Sequence, residues 1–270
     1  MIRTAVIGSA GRMGKLIVKN ILNSQTLILS AALETKNSNK LGIDAGILAN
    51  GIDCGIFITD NLDDALQKSD VIIDFSTGPT IQNVKNAIKN GVAVVIGTTG
   101  LTPKEKSELQ KLALAGGKIV CSPNMSVGVN LLFHLAKETA STLGDEYEIE
   151  VTEIHHNQKK DSPSGTAEKL VEILAEASNI NLETEIAHGR KGLVGVRPKK
   201  EIGVHAIRGG DVVGEHTVYF FANGERIELT HKASSRETFA MGALRAANFI
   251  YHAKPGYYDM QDVLNLKNKI

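Results

Sequence analysis

Through the first 125 residues, short apolar runs alternate with segments whose apolar positions recur at helical spacing. The runs at 3–7, 27–33, 55–58, 71–75, 92–96 and 118–121 read as strands. Between them, residues 12–22, 80–90 and 103–115 read as amphipathic helices. Thr102-Pro103 supplies an N-cap and a first helical residue, and Gly91 stands where a helix C-terminal cap belongs. Strand–helix alternation of this kind predicts a doubly wound parallel sheet. After Ser126 the pattern changes. Residues 127–143 form one long amphipathic stretch ended by Gly144, 147–156 reads as a strand and 163–177 as another helix. Extended segments rich in β-branched residues follow at 203–208, 211–221 and 226–231, separated by the turn pairs Gly209-Gly210 and Asn223-Gly224. This predicts a separate α+β domain with a mixed, largely antiparallel sheet. Ser234 and Glu237 have capping-box spacing and predict a last helix through 251, with Phe239, Ala243, Ala246, Ala247 and Ile250 on its apolar face.

Composition narrows the function classes. With 270 residues and 42% hydrophobic content the chain suits one or two globular domains. Lys+Arg 30 balance Asp+Glu 30, so no basic stripe offers itself to a phosphate backbone, and nucleic acid is not an expected partner. Tryptophan is absent and aromatics are 4%, which also argues against base stacking. Cys54 and Cys121 are too few for a disulfide framework and fit a reducing compartment. Residues 1–8 run straight into a strand, and no apolar stretch approaches the length of a membrane span. A cytoplasmic location with no membrane association is expected.

The turn after the first strand carries the first chemistry. Gly8, Ser9, Ala10, Gly11, Arg12, Met13 and Gly14 link that strand to the first helix, with glycines spaced Gly8-x-x-Gly11-x-x-Gly14. Little side-chain bulk lets backbone amides at a helix N-terminus approach a pyrophosphate. Ala10 occupies the second glycine position of the standard dinucleotide pattern, so the letters alone are weak. Glu34, at the end of the second strand and 20 residues past Gly14, supplies the acid that accepts hydrogen bonds from ribose hydroxyls. Strand, turn, helix and acid together predict a Rossmann-type α/β nucleotide domain for NADH and/or NADPH. Glu34 leans the choice toward NADH, while Arg12 and Lys36 lie near enough to offset its charge, so use of both is expected. Gly97-Thr98-Thr99-Gly100 and Ser122-Pro123-Asn124-Met125 close two later strands, where doubly wound sheets bind ligands.

Residues 153–166 form the densest polar stretch, between a strand and a helix. A metal site would recruit His155, His156 and Asp161, but adjacent strand residues point to opposite faces and no Cys or further His falls at ligand spacing, so no metal is expected. An ordinary polar loop would also carry such residues. The helix start favours chemistry instead: Ser162 and Pro163 suit the cap and first position, and Ser164, Gly165 and Thr166 offer amides with little bulk. Such an N-terminus favours an anion, and Lys159 and Lys160 stand just before it. A carboxylate substrate beside a proton-donating histidine suits a reductase, which needs a hydride from its cofactor and a proton from the protein.

Gly-x-x-Gly-Arg-Met-Gly at 8–14, Val-Ile-Gly-Thr-Thr-Gly at 95–100 and Asn-Met-Ser-Val-Gly-Val-Asn at 124–130 resemble one family from end to end. Glu-Ile-His-His-Asn-Gln-Lys-Lys-Asp-Ser-Pro-Ser-Gly-Thr-Ala at 153–167 resembles it most specifically, with further matches at 209–217 and 230–236. The family is that of the dihydrodipicolinate reductases. The resemblance implies reduction of a small cyclic dicarboxylate, 4-hydroxy-tetrahydrodipicolinate, on the diaminopimelate route to lysine. It implies His155 as general acid and Lys159 as catalytic lysine, with His156, Gly165 and Thr166 binding substrate and Ser164 beside them. It also implies cofactor contacts from Gly8 through Met13 and from Glu34, Gly97, Thr98, Thr99, Ser122, Pro123, Asn124 and Met125. A nucleotide domain of residues 1–126 and 236–270 is implied, with 127–235 binding substrate and building a homotetramer through its sheet. The crossings near 126 and 235 would form a hinge. Thr35 departs from the arginine that often follows the ribose-binding acid in NADPH-using members, and Ser122-Pro123 from a common pair of alanines. Both bear on cofactor preference. Two rivals remain: a semialdehyde dehydrogenase with Cys121 as nucleophile, though no base is evident beside it, and an NADH-sensing protein without chemistry.

Overall fold

In a computed structural model, which describes residues 1–267, the chain divides into two compact units. One is Met1–Val127 together with the chain from Arg236 onward, and the other is Gly128–Ser235. In chain order the first stretch runs β1 (Ile2–Ile7), α1 (Arg12–Leu22), β2 (Leu27–Leu33), α2 (Ala45–Asn50), β3 (Ile58–Thr59) and α3 (Leu62–Gln67). It continues β4 (Val71–Asp74), α4 (Thr80–Lys89), β5 (Ala93–Ile96), α5 (Pro103–Leu114) and β6 (Lys118–Cys121). Then follow α6 (Val127–Leu143), β7 (Glu148–His155), α7 (Gly165–Ser178), β8 (Ile186–His188), β9 (Ile202–Arg208), β10 (Gly214–Ala222) and β11 (Glu225–Ala233). The chain ends through α8 (Glu237–His252), β12 (Gly256–Tyr258) and α9 (Met260–Val263).

The first unit is a seven-stranded sheet, ordered β12-β6-β5-β4-β1-β2-β3, with every pair parallel. Its strands are apolar on both faces because helices cover both. Val6, Val71, Ile73, Val95 and Val120 pack with α1 and α8, while their neighbours Ala5, Ile72, Val94, Ile96 and Ile119 pack with α3, α4 and α5. The strand order reverses between β1 and β4, and a crevice opens beyond their carboxyl ends. Helix α5 starts as its sequence predicts. The Glu105 amide donates to Thr102 Oγ1 at 3.2 Å and the Thr102 amide donates to Glu105 Oε2 at 2.8 Å.

The second unit is a five-stranded sheet, ordered β11-β10-β7-β9-β8, with α6 and α7 on one face. Ile149, Val151, Ile202, Val204, Val218 and Phe220 face Phe133 of α6 and Leu170 of α7. The sheet is mixed, as expected: the long β11–β10 and β10–β7 ladders are antiparallel, while β7–β9 and β9–β8 are parallel. The reason is topological. Parallel neighbours need crossover connections: α7 carries the chain from β7 to β8, and residues 189–201 carry it on to β9. The three-residue β8 is too short to announce itself as a strand.

Two helix starts differ from expectation. Helix α7 is capped by Ser164 rather than Ser162, and Pro163 precedes it. Helix α8 has no side-chain cap and begins after Arg236, so Ser234 and Glu237 form no box. Glu237 instead accepts from Lys19 Nζ at 3.1 Å and Asn20 Nδ2 at 3.3 Å on α1. The strand expected at 55–58 shrinks to β3, and Phe57 makes only an isolated antiparallel bridge to Asp44. Among the described residues no helix is long and apolar enough to cross a membrane.

Candidate active site

In the first unit, the β1–α1 turn is shaped by backbone proximity. Gly8 has φ +77°, a conformation glycine adopts without penalty, and its amide and that of Ser9 both reach Leu33 O at 3.0 Å. A Cβ on Gly14 would stand 2.0 Å from Gly8 O, so only glycine lets α1 lie this close to the turn. Ala10, the departure from the glycine pattern, uses its amide to donate to Glu34 Oε1 at 2.9 Å. The acid at the end of β2 thus ties down the turn as well as facing the expected ribose. Gly11 donates to Gly8 O at 3.0 Å. The amides of Arg12 and Met13 have no acceptor among the described residues, and Gly11 gives the helix no side-chain cap. These are the orphan donors that an anion at a helix N-terminus satisfies.

Beyond this turn lies a cleft of about 830 Å³. It gathers Arg12 and Met13 from α1, Gly97, Thr98 and Thr99 from the end of β5, and Pro123, Asn124 and Met125 from the loop after β6. Gly8, Ser9, Ala10, Gly11, Glu34 and Ser122 do not line it; Ser122 is buried and donates to Asn124 O at 2.9 Å, fixing the loop. The cleft also takes in residues 75–82 after β4, and Arg236 and Phe239 at the start of α8. Sequence reasoning missed these. The strand-order reversal would have pointed to 75–82, since β4 borders it. Phe75 lies against Gly97, where a Cβ would fall 2.1 Å from the ring, and Thr98 Oγ1 donates to Ser76 O at 3.0 Å. The volume, the free amides and the glycine-only approaches fit a dinucleotide.

In the second unit, a cluster forms where β7 ends and α7 begins. Glu153 is fully buried. Its Oε2 lies 2.6 Å from His155 Nδ1, two residues along the same strand and so on the same face. Arg208 grips both carboxylate oxygens at 2.8 Å, and the Ser164 amide donates to Oε1 at 3.0 Å. Burial opposes ionisation of Glu153, but the hydrogen bonds and charges of His155 and Arg208 outweigh it and hold the carboxyl at about 2. Ser164 Oγ accepts from the Ala167 amide at 3.2 Å and sits 3.0 Å from Nε2 of buried His216. Burial, reinforced by the nearby His155 charge, pushes His216 down to about 3, so it is neutral at pH 7. Its ring stands edge-on to that of His155 with centroids 5.2 Å apart.

Lys159 pairs with Asp161 at 2.8 Å, and Arg208 Nη2 donates to Asp161 O at 2.8 Å. His156 lies just past β7, its amide donating to Val212 O at 2.8 Å. The Gly165 amide has no acceptor among the described residues, while that of Ser164 is already taken by Glu153. Of the three amides expected at this helix start, Ser164's is therefore structural. Glu153, Arg208 and His216 were assigned no role from sequence. The i, i+2 spacing of Glu153 and His155 was the available signal. Among the described residues no group of three His, Cys, Asp or Glu is placed to hold a metal ion.

The family model described as dihydrodipicolinate reductase, N-terminus, matches residues 2–125, and that described as dihydrodipicolinate reductase, C-terminus, matches 128–264. The chain is 46% identical to the 4-hydroxy-tetrahydrodipicolinate reductase of Syntrophotalea carbinolica, over 99% of this chain and 100% of that one. It is 48% identical to the protein of the same name from Hahella chejuensis, with the same coverage. Among solved structures it is similar to the dipicolinate-bound dihydrodipicolinate reductase from Paenisporosarcina sp. TG-14. The TM-score is 0.77 at 25% identity, covering 97% of this chain and 98% of that one. On a nucleotide turn, a His–Lys segment at a helix N-terminus and matches across both units, the chain belongs to the dihydrodipicolinate reductase family.

Proposed function

We propose that this chain reduces 4-hydroxy-tetrahydrodipicolinate, by way of dihydrodipicolinate, to tetrahydrodipicolinate, with NADH or NADPH as reductant, on the diaminopimelate route to lysine. The observation that carries this reading is the strand–loop–helix segment from Glu153 to Thr166. It sets His155 and Lys159 beside an anion-seeking helix start. One substrate carboxylate rests on the amides of Gly165 and Thr166, with His156 and Ser164 alongside. Lys159 or Lys160 meets the other carboxylate. The chemistry a nicotinamide would supply when bound is a hydride for ring C4 of the conjugated imine. The adjacent ring carbon takes a proton, and His155 holds that proton on its imidazole, with Lys159 stabilising the developing charge.

The dinucleotide belongs to the first unit. The β1–α1 turn of Gly8, Ser9, Ala10, Gly11, Arg12 and Met13 takes the pyrophosphate, and Glu34 takes the ribose. Gly97, Thr98, Thr99, Pro123, Asn124 and Met125, which line the cleft, would border the nicotinamide, with Ser122 holding their loop from behind. With Thr35 beside Glu34, NADH is favoured. Arg12 in the cleft keeps NADPH usable, and the two kcat/KM values fall within a thousandfold of each other. The second unit, Gly128–Ser235, binds the dicarboxylate and builds a homotetramer in the cytoplasm through the uncovered face of its sheet, where Tyr219 and Phe221 stack and Ile207 is exposed.

A coupled assay tests the reading. Pyruvate and aspartate semialdehyde are condensed by the upstream synthase, and loss of NADH or NADPH absorbance follows addition of this chain. Absence of that loss with a proven synthase overturns it.

A further inference from the structure

Glu153 is buried at the centre of the second unit's polar cluster, yet the chemistry above uses only its neighbours. Its carboxylate reaches three elements: His155 on β7, Arg208 at the end of β9 and the Ser164 amide at the start of α7. His216 on β10 is its cross-strand partner and takes the Ser164 hydroxyl. Ser164 is thus clamped at both ends, and Gly165 and Thr166 follow directly.

An ionised carboxylate only accepts hydrogen bonds. Arg208 keeps Glu153 in that form, so the ring nitrogen 2.6 Å away must carry a proton. In neutral His155 that leaves Nε2 bare, and in the imidazolium Nε2 carries the proton that can leave. Departure from Nε2 gives the neutral tautomer Glu153 already favours, with no ring flip. Space beside Nε2 is kept open by Gly214, where a Cβ would stand 3.0 Å from it.

We propose that Glu153 is a positioning residue that acts through two neighbours at once. It fixes His155 with Nδ1 protonated and Nε2 directed to substrate, and it anchors the turn of α7 on which a substrate carboxylate rests. The proposal rests on His155 being the proton donor of the reaction above. The charged and titratable groups around His155 are Glu153 on its own strand, Arg208 on β9, His216 on β10, and Lys159 and Asp161 in the loop after β7.

The first test leaves Glu153 unchanged. Nitrogen NMR of the wild-type protein labelled in its histidine rings, with His155 assigned by comparison with His155→Ala, should show neutral His155 protonated at Nδ1. Protonation at Nε2 overturns the proposal. The second test is the pH profile of Glu153→Gln. Without the carboxylate the protonated ring loses its ion-pair partner, and Arg208 stands beside it unopposed. The fall of kcat/KM with rising pH should therefore begin at lower pH than in wild type. Near pH 8 the variant is about tenfold or more slower, and the gap narrows toward acid. Weaker binding of pyridine-2,6-dicarboxylate should accompany this as the turn loosens. An equal loss at every pH, with the profile unmoved, means Glu153 only supports the fold and refutes the proposal. If Glu153→Gln fails to fold, the tautomer measurement decides alone. A wild-type protein inactive in the coupled assay defeats the functional reading, whereas an active one with Nε2 protonated defeats only this inference.

Discussion

Replacing Gly14 with alanine puts a methyl carbon 2.0 Å from Gly8 O, 2.7 Å from Ser9 Cα and 2.8 Å from Gly8 C. Ordinary contact begins near 3.4 Å, so α1 and the turn must separate by about 1.4 Å. All three neighbours are backbone and cannot swing aside. Gly8 cannot retreat either, since its own Cβ position is already 3.2 Å from Ser76 Cα and its amide is held by Leu33 O. The helix must therefore move, carrying the Arg12 and Met13 amides away from the place proposed for the pyrophosphate. A hydrogen bond to a charged group is worth about 1.5–3 kcal/mol, so losing one weakens binding roughly tenfold to a hundredfold. Stability changes less. Overpacking costs about 1–3 kcal/mol, and the better helix propensity of alanine returns about 1 of it. The remainder, about 0–2 kcal/mol, lowers Tm by no more than roughly 8 °C in domains of this size. NADH titration by fluorescence, with circular dichroism melting alongside, reads both effects. An NADH Kd within twofold of wild type would refute the argument that the turn needs glycine in order to bind.

His155→Ala should lower kcat about a hundredfold or more in the coupled assay, the usual scale for a general acid, and near wild-type turnover removes it from that role. Cys121→Ser should leave turnover unchanged, because burial raises the Cys121 thiol pKa and keeps it protonated; a large loss would revive a thiol mechanism. His216 binds its proton at about 3 when folded and near 6.5 when unfolded, so the unfolded chain takes up the extra proton below about pH 6.5. Its contribution to stability is whole above that pH and is lost as pH falls toward 3. The urea midpoint should therefore drop between pH 7 and 5, with His216→Gln showing a flatter dependence; an equal wild-type midpoint at both pH values contradicts the buried neutral histidine.

Helices α1 and α6 and strands β2 and β6 were readable to the residue because their apolar periodicity is long or their flanks carry glycine and polar turns. Helices α2 and α3, at six residues each, are too short for a 3.6-residue period to repeat twice, and β8 and β12, at three, are too short for alternation. The candidate chemistry was legible where residues crowd in sequence, as in 153–166. It was not legible where partners arrive from other strands. Arg208 and His216 lie 55 and 63 positions from Glu153 and reach it only through strand register. The two helix starts misread from capping patterns share one cause. Ser164 and Glu237 are engaged by side chains distant in sequence, which local spacing cannot show.

That register is itself held by charge. Strand β7 carries a carboxylate on each face: Glu150 on the side away from the helices and Glu153 on the side toward them. Strand β9 answers on both faces, with His205 Nε2 2.7 Å from Glu150 and Arg208 on Glu153. Gly203, paired with Glu150 across the strands, is needed here, since a Cβ would lie 1.8 Å from the carboxylate. Arg190 and Arg197 complete the outer cluster, and with His205 they hold Glu150 at about 2 against the cost of burying it. Desolvated ion pairs of this kind add little net stability over a well-packed apolar core, so their presence on both faces is poorly explained by stability alone. What they do oppose is slippage. Moving β7 by one residue against β9 would turn both carboxylates onto the wrong face and strand three arginines and a histidine, whereas an all-apolar pair would lose much less. The site needs that fixity, because His155 is placed by the same strand that places Glu153. Its partner Glu153 meets Arg208 only in the register the two acids enforce.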